Sequence, residues 1–195
     1  MSMQEPQNIN ELIRLMKNGR NESERIAAAL DLGNFKSKEV VKALVEQLCI
    51  ETSRAVQESI VSSLIKIGNE NVAELAVELL KSDDAYLRNV GVEILATIGD
   101  SALEVFERMI MHPDKDVRQL VVNAIGEGQL KEAVMILRKV VEEDEEENVV
   151  AAAVEYLGEI GGSDEDKKAI KQALNRFSSP FFQYVGEVAL KKLGG

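Results

Sequence analysis

A thirteen-residue pattern recurs six times along this chain, at intervals regular enough to leave few folds open. Its clearest copy runs from Leu87 to Gly99 (LRNVGVEILATIG). Apolar residues fall there at three-and-four spacing and a glycine closes the run, which predicts an amphipathic helix with a built-in stop. The other copies are Glu24 to Lys36, Val56 to Gly68, Val117 to Gln129, Val149 to Gly161 and Phe182 to Gly194. Their last positions are 36, 68, 99, 129, 161 and 194, so successive intervals are 32, 31, 30, 32 and 33 residues. A period of this length means a stack of identical small units, none of which can bury its apolar face alone.

Between the copies lie shorter apolar runs of the same helical spacing: Ile9 to Lys17, Val40 to Ile50, Asn71 to Leu80, Ala102 to Met111, Leu130 to Val141 and Lys167 to Phe177. Turn residues separate each run from the copy that follows it, so every unit reads as an antiparallel helical hairpin. Ser37 is placed to cap the second hairpin, Asp100 to cap Ala102 onward, and Ser163 with Asp166 to form a capping box. Pro180 suits the first turn of the last helix. No alternating apolar run flanked by turns competes for a strand. The fold class expected is therefore all-α, an α-solenoid of about six antiparallel helical hairpins. Residues 1–195 form a single domain in this reading, with repeats at approximately 8–36, 37–68, 69–99, 100–129, 130–161 and 162–195.

Composition narrows the function. Thirty-four acids against twenty-three bases give a net charge of −11, which opposes phosphate backbones and anionic membranes. The single cysteine excludes an internal disulfide and suits a reducing compartment. The N-terminus is polar, without an apolar signal region, and no apolar run approaches a membrane span. A cytoplasmic location follows as the expectation.

The copy Leu87 to Gly99, with Asp83 and Asp84 just before it, resembles a HEAT-like repeat, and more closely the short bacterial type of phycobilisome-lyase-related proteins. The turn Asp114 to Arg118 (DKDVR) and the alanine-rich helix VVAAAVEYLGEIG (149–161) carry the same likeness, which covers roughly residues 8 to 194. The arginine in the second place of the pattern is present as Arg25, Arg88 and Arg118, and is replaced by Gln57, Val150 and Gln183. The closing glycine is replaced by Lys36 and Gln129, with Gly33 and Gly126 three residues earlier. The resemblance implies a scaffold or adaptor that binds another protein. Its alternative implication is an accessory subunit of an enzyme such as a chromophore lyase. DNA glycosylases of HEAT-like type use a basic groove with aromatic residues, which this pattern lacks, and the iron-binding hydroxylases use paired His-Glu motifs, which are absent.

No constellation for catalysis emerges, and neither a cofactor nor a metal is implied. His112 is the only histidine and precedes Pro113 in a turn, with no second His or Cys in range for zinc. Cys49 ends an apolar helix with no base beside it and reads as a packed, inert thiol. The acidic run Glu142 to Glu147 (EEDEEE) lacks the spaced ligands of a calcium loop and reads as a solvated turn. Arg88 and Arg118 follow Asp84 and Asp114 by four residues, a spacing that predicts a structural ion-pair ladder.

A partner would meet the second helices. Their third and seventh places point away from the core in this register, and they assemble a stripe of Glu58, Asn89, Glu93, Gln119, Asn123 and Glu155, ending at Tyr184. Such a surface suits a protein with a polar or basic face, read by hydrogen bonds. Near the terminus Phe181 and Phe182 form a candidate docking patch, through which the chain would be a monomer or a weak homodimer.

Overall fold

The structure is a computed structural model that describes residues 9–194. The expectations for residues 1–8 lie outside it. The described residues are helical throughout, with no strand among them: α1 (Ile9–Asn18), α2 (Glu22–Leu32), α3 (Lys38–Ile50), α4 (Arg54–Ile67), α5 (Glu70–Leu80), α6 (Ala85–Ile98), α7 (Leu103–Met109), α8 (Lys115–Glu127), α9 (Val134–Glu143), α10 (Glu147–Ile160), α11 (Asp164–Arg176) and α12 (Pro180–Lys192). Consecutive helices pair into hairpins, α1 with α2, α3 with α4, α9 with α10 and α11 with α12, and the fold class is the all-α solenoid. Two compact units divide the chain, residues 1–94 and 95–195.

Helix starts follow side-chain chemistry. Ser37, Ser53, Asn69 and Ser179 each accept the backbone N–H three residues on, and Ser163 with Asp166 forms the expected capping box. Asp100 makes no such cap. The chain instead passes through a 3-10 turn, Gly99–Ala102, before α7 begins at Leu103. A second 3-10 turn, Lys131–Ala133, precedes α9, so both helices start later than their apolar spacing predicts. The helix expected to reach Met111 ends at Met109, as the chain turns towards Pro113, before which helical backbone is disfavoured.

In the first unit α2 packs on α1 and α4, and α3 on α4 and α5. Its core is aliphatic: Met16, Leu32, Leu44, Leu48, Ile60, Leu64 and Ile67 are within 2% of full burial. Burying each such side chain contributes about 1.5–3 kcal/mol. The buried Ser63 hydroxyl donates to the Ala29 carbonyl at 2.8 Å, satisfying a polar group between α4 and α2. In α6, Leu87, Val90 and Leu95 are buried as expected; Ile98 is only half-buried.

In the second unit α10 is central, packing on α8, α9 and α12. Small residues make this closeness possible. A Cβ on Gly158 would lie 2.7 Å from Cα of Ala189, and one on Gly126 would lie 2.1 Å from the Tyr156 ring. Gly126 and Tyr156 occupy the tenth and eighth places of adjacent copies, as do Gly158 and Ala189, and in the first unit Gly33 and Ser63. At these three crossings the tenth place is glycine; in the second copy it is Ile65.

In four of the six copies the residue in the second place does the same physical task. Arg118 Nη1 donates to the carbonyl of His112 at 2.9 Å, and Arg88 Nη1 to that of Ser82 at 2.7 Å. Where the pattern has glutamine, Gln57 and Gln183 make the same bond, to Glu51 and Phe177, both at 2.8 Å. Each donor reaches back six residues to a carbonyl left over at the end of its own hairpin's first helix or in the turn after it. Val150 cannot donate. Arg176, from the following hairpin, supplies the bond instead, donating to the carbonyls of Val141, Glu142 and Asp144.

The ion-pair ladder differs from expectation. Asp84 and Asp114 do not receive the arginines four residues on; each accepts the backbone N–H two residues on, Asp84 from Tyr86 and Asp114 from Asp116. The acids that pair with arginine in the second places lie 26 positions later: Glu51 with Arg25 at 3.4 Å and Asp144 with Arg118 at 2.6 Å. The acidic run is solvated only in part: Glu142, Glu143, Glu145 and Glu146 are exposed, while the Asp144 side chain is buried against Arg118. Besides Asp144, Glu146 pairs with Lys115, and Glu147 accepts the Ser179 hydroxyl.

Candidate protein-binding face

The second helices present a stripe set by helical geometry, in which positions four and three residues apart share a face. In the first unit it contains Glu58 on α4 and Asn89 and Glu93 on α6, all exposed. Glu58 is already engaged, with Arg54 Nε 3.3 Å from its carboxylate. The Arg54 guanidinium also lies over the Tyr86 ring, 4.1 Å from its centroid. Burial pushes the Tyr86 hydroxyl up, the Arg54 charge pulls it down, and Glu58, Glu93 and Asp84 push it up again.

In the second unit the stripe closes around a surface cavity of about 460 Å³. Gln119 from α8, Glu155 from α10 and Phe181 and Tyr184 from α12 line it, along with Asn148, Ala151, Ala152 and Val185. Four of the side chains singled out from the sequence therefore meet here. Asn123, half-buried on α8, is not part of the lining. The floor exists because α10 is alanine-rich. Ala151 is 3% exposed, which corrects the expectation that every third place faces outward. Its small side chain leaves room beneath the rim set by Gln119 and Tyr184. Gln119, Asn148, Glu155 and Tyr184 make no hydrogen bond or ion pair among the described residues, in contrast to the carboxylates of Glu51, Asp144 and Asp166.

Phe182 is a correction. It is fully buried, with its ring centroid 4.8 Å from that of Phe177, so it belongs to the core of the last hairpin. Phe181 points the other way, 57% exposed, and Tyr184 is 67% exposed. Asn148, Ala152 and Val185 were missed by reading only the third and seventh places. The cavity uses places zero, three, four and seven, the full width of an amphipathic stripe, and that spacing was available in the sequence.

Among the described residues, no group of three or more His, Cys, Asp or Glu side chains could hold a metal. His112 lines a cavity of about 300 Å³ beside Arg118 and Asp144, where its Nδ1 accepts the Asp114 N–H. Cys49 is exposed and not packed as expected, because it lies on the outer side of the last turn of α3. Partial burial still pushes its thiol up, away from a reactive thiolate. No helix among the described residues is long and apolar enough to cross a membrane.

A protein-family model described as HEAT repeats matches residues 9–96 and 102–191. No curated protein sequence matches the chain. Among solved structures, human deoxyhypusine hydroxylase in complex with glycerol is 19% identical with a TM-score of 0.50, covering 95% of this chain and 73% of that one. The complex of CpcE and CpcF of phycocyanin lyase from Nostoc sp. PCC7120 is 16% identical, with a TM-score of 0.40 over 98% and 97% of the two chains. An archaeal HEAT-like repeats protein from Thermococcus onnurineus NA1 is 11% identical, with a TM-score of 0.45 over 95% and 87%. At these identities the likeness is one of fold.

Proposed function

This chain belongs to the HEAT repeat family, and from that premise we propose that it is a non-catalytic scaffold, binding a partner protein along the face built by α8, α10 and α12. The observation that carries this reading is the cavity at which Gln119, Asn148 and Glu155 converge without partners of their own. Amide side chains held on rigid helices can donate to and accept from the backbone of an extended segment. The apolar flank of Phe181 and Val185 offers the area that hydrogen bonds alone do not supply. A cavity of this size takes side chains of a partner, not a folded domain.

The partner in this proposal has a polar or basic face, and nucleic acid is not among its ligands. The net charge of −11 supports both statements, since duplex binding draws its affinity from neutralised phosphates. With Phe182 buried, the weak-homodimer reading retains only Phe181, and a monomer is the simpler proposal.

Capture of partners from the native host, followed by binding of the purified partner to variants, tests the reading. Ala152→Arg, which fills the cavity, and Gln119→Ala, which removes an amide, are expected to weaken binding while circular dichroism stays unchanged. A partner that binds both variants as well as the parent chain would sink it.

A further inference from the structure

We propose that the cavity bounded by Phe181, Tyr184 and Glu155 takes the guanidinium of an arginine presented by an extended segment of the partner, an inference that rests on the binding face described above. Three observations converge on that chemistry. Glu155 is an exposed carboxylate with no cation beside it among the described residues, and no Lys or Arg lines the cavity. Two exposed rings flank it, Phe181 and Tyr184. The floor at Ala151 and Ala152 gives depth for a long side chain.

The chain also holds a version of this contact filled by its own arginine. Tyr86 immediately precedes the first place of the third copy, and Phe181 immediately precedes that of the sixth. Arg54, two residues before the second copy, covers the Tyr86 ring and pairs with Glu58 inside it. The corresponding residue two places before the fifth copy is Glu147, whose carboxylate accepts the Ser179 hydroxyl. The ring before the sixth copy therefore lacks the cation that the ring before the third copy has; the counterpart of Glu58 is Ala151, and the carboxylate at this cavity is instead Glu155, one turn further along α10. A guest arginine completes the set. Arginine fits better than lysine, because a planar guanidinium can stack on a ring and fork onto a carboxylate at once. Gln119 and Asn148, at the sides of the cavity, are placed to hold the backbone of the segment that carries it.

Fluorescence anisotropy with a labelled peptide of alternating glycine and arginine tests the proposal, against the same peptide with citrulline, which keeps the shape and loses the charge. The arginine peptide is expected to bind about tenfold more tightly than the citrulline peptide, as befits a stacked and paired cation. Glu155→Gln and Tyr184→Ala should each weaken it about fivefold. Glu159→Gln, whose carboxylate pairs with Lys192 away from the cavity, should leave it unchanged. Equal binding of the two peptides overturns the proposal. So does an equal loss in Glu159→Gln, which would mean attraction to net charge alone. Self-association abolished by Phe181→Ser would assign the cavity to a second copy of the chain and also overturn it. If the host partner is lost with Ala152→Arg while arginine shows no advantage, only this inference fails. If the partner ignores Ala152→Arg, the binding-face reading fails with it.

Discussion

Arg118 and Asp144 are joined side on, Nε to Oδ2 at 2.6 Å and Nη2 to Oδ1 at 2.9 Å, with the third arm of the guanidinium on the carbonyls of His112 and Pro113. One side chain therefore ties the turn after α7 to the turn before α10. The side chains are only 14% and 5% exposed, so the pair lies where losing one partner strands the other. Arg118→Ala is expected to cost about 3 kcal/mol in urea unfolding, with Arg118→Lys recovering part of it. The double variant with Asp144→Ala should cost less than the two single losses added together, and simple additivity would show that the pair is not coupled.

The same pair makes stability depend on acid. Burial pushes the Asp144 carboxyl up, but the Arg118 hydrogen bonds, the Glu146 N–H and the Arg118 charge outweigh it and hold it below the usual carboxylate range. Asp166 behaves alike: burial raises it, and the N–H groups of Gly162 and Ser163 together with Arg138 lower it further. A carboxylate depressed in the folded state contributes stability that is present above its unfolded value and lost as pH falls through the folded one. The melting temperature should therefore be flat from neutral pH down to the ordinary carboxylate range and drop below it. In Asp144→Asn that drop should be shallower, although the variant starts from a lower temperature at neutral pH.

Gly126 answers to Tyr156. A methyl group on Gly126 would meet the base of the ring at 2.1 Å, where the side chain has least freedom to move away. Gly126→Ala should lose about 1–2 kcal/mol, because overpacking outweighs the better helix propensity of alanine. In a Tyr156→Ala background the sign should reverse, since only propensity then remains. A loss in both backgrounds would place the strain elsewhere.

Periodicity made most of the fold legible. The spacing of apolar residues located the twelve helices, and Ser163 and Asp166 announced their capping box. Sequence distance misled where contacts cross hairpins. Asp114 lies four residues from Arg118, yet the capping of α8 occupies it, and the true partner is 26 positions away. A run of six acids gave no sign that the Asp144 backbone and carboxylate would each receive an arginine. At the candidate site, hydropathy cannot separate Phe181 from Phe182. Their opposite fates are set by the 100° turn between successive residues of α12, which sends one ring into the core and the other to the cavity.

Gln129 stands where the repeat pattern has a closing glycine, and its backbone behaves as if the glycine were still there. Its φ is +54°, matching the +51° of Gly68 and the +54° of Gly99, and it is the only residue other than glycine with a positive φ among those described. The Leu130 N–H reaches the Ile125 carbonyl at 3.1 Å and the Gln129 N–H reaches that of Gly126 at 3.0 Å, the pair of bonds that ends a helix in a Schellman turn. Holding a side chain in the left-handed region costs about 1–2 kcal/mol, and glycine gives back about 0.5–1 kcal/mol through its freer unfolded chain. Gln129→Gly is therefore expected to raise stability by about 0.5–1 kcal/mol in chemical denaturation. Gln129→Val should lower it by at least as much, because a β-branched side chain is least tolerant of that backbone. Since Gln129 is exposed and donates no side-chain bond to the protein among the described residues, a fall in stability with glycine would mean that this turn is not the one the chain adopts in solution.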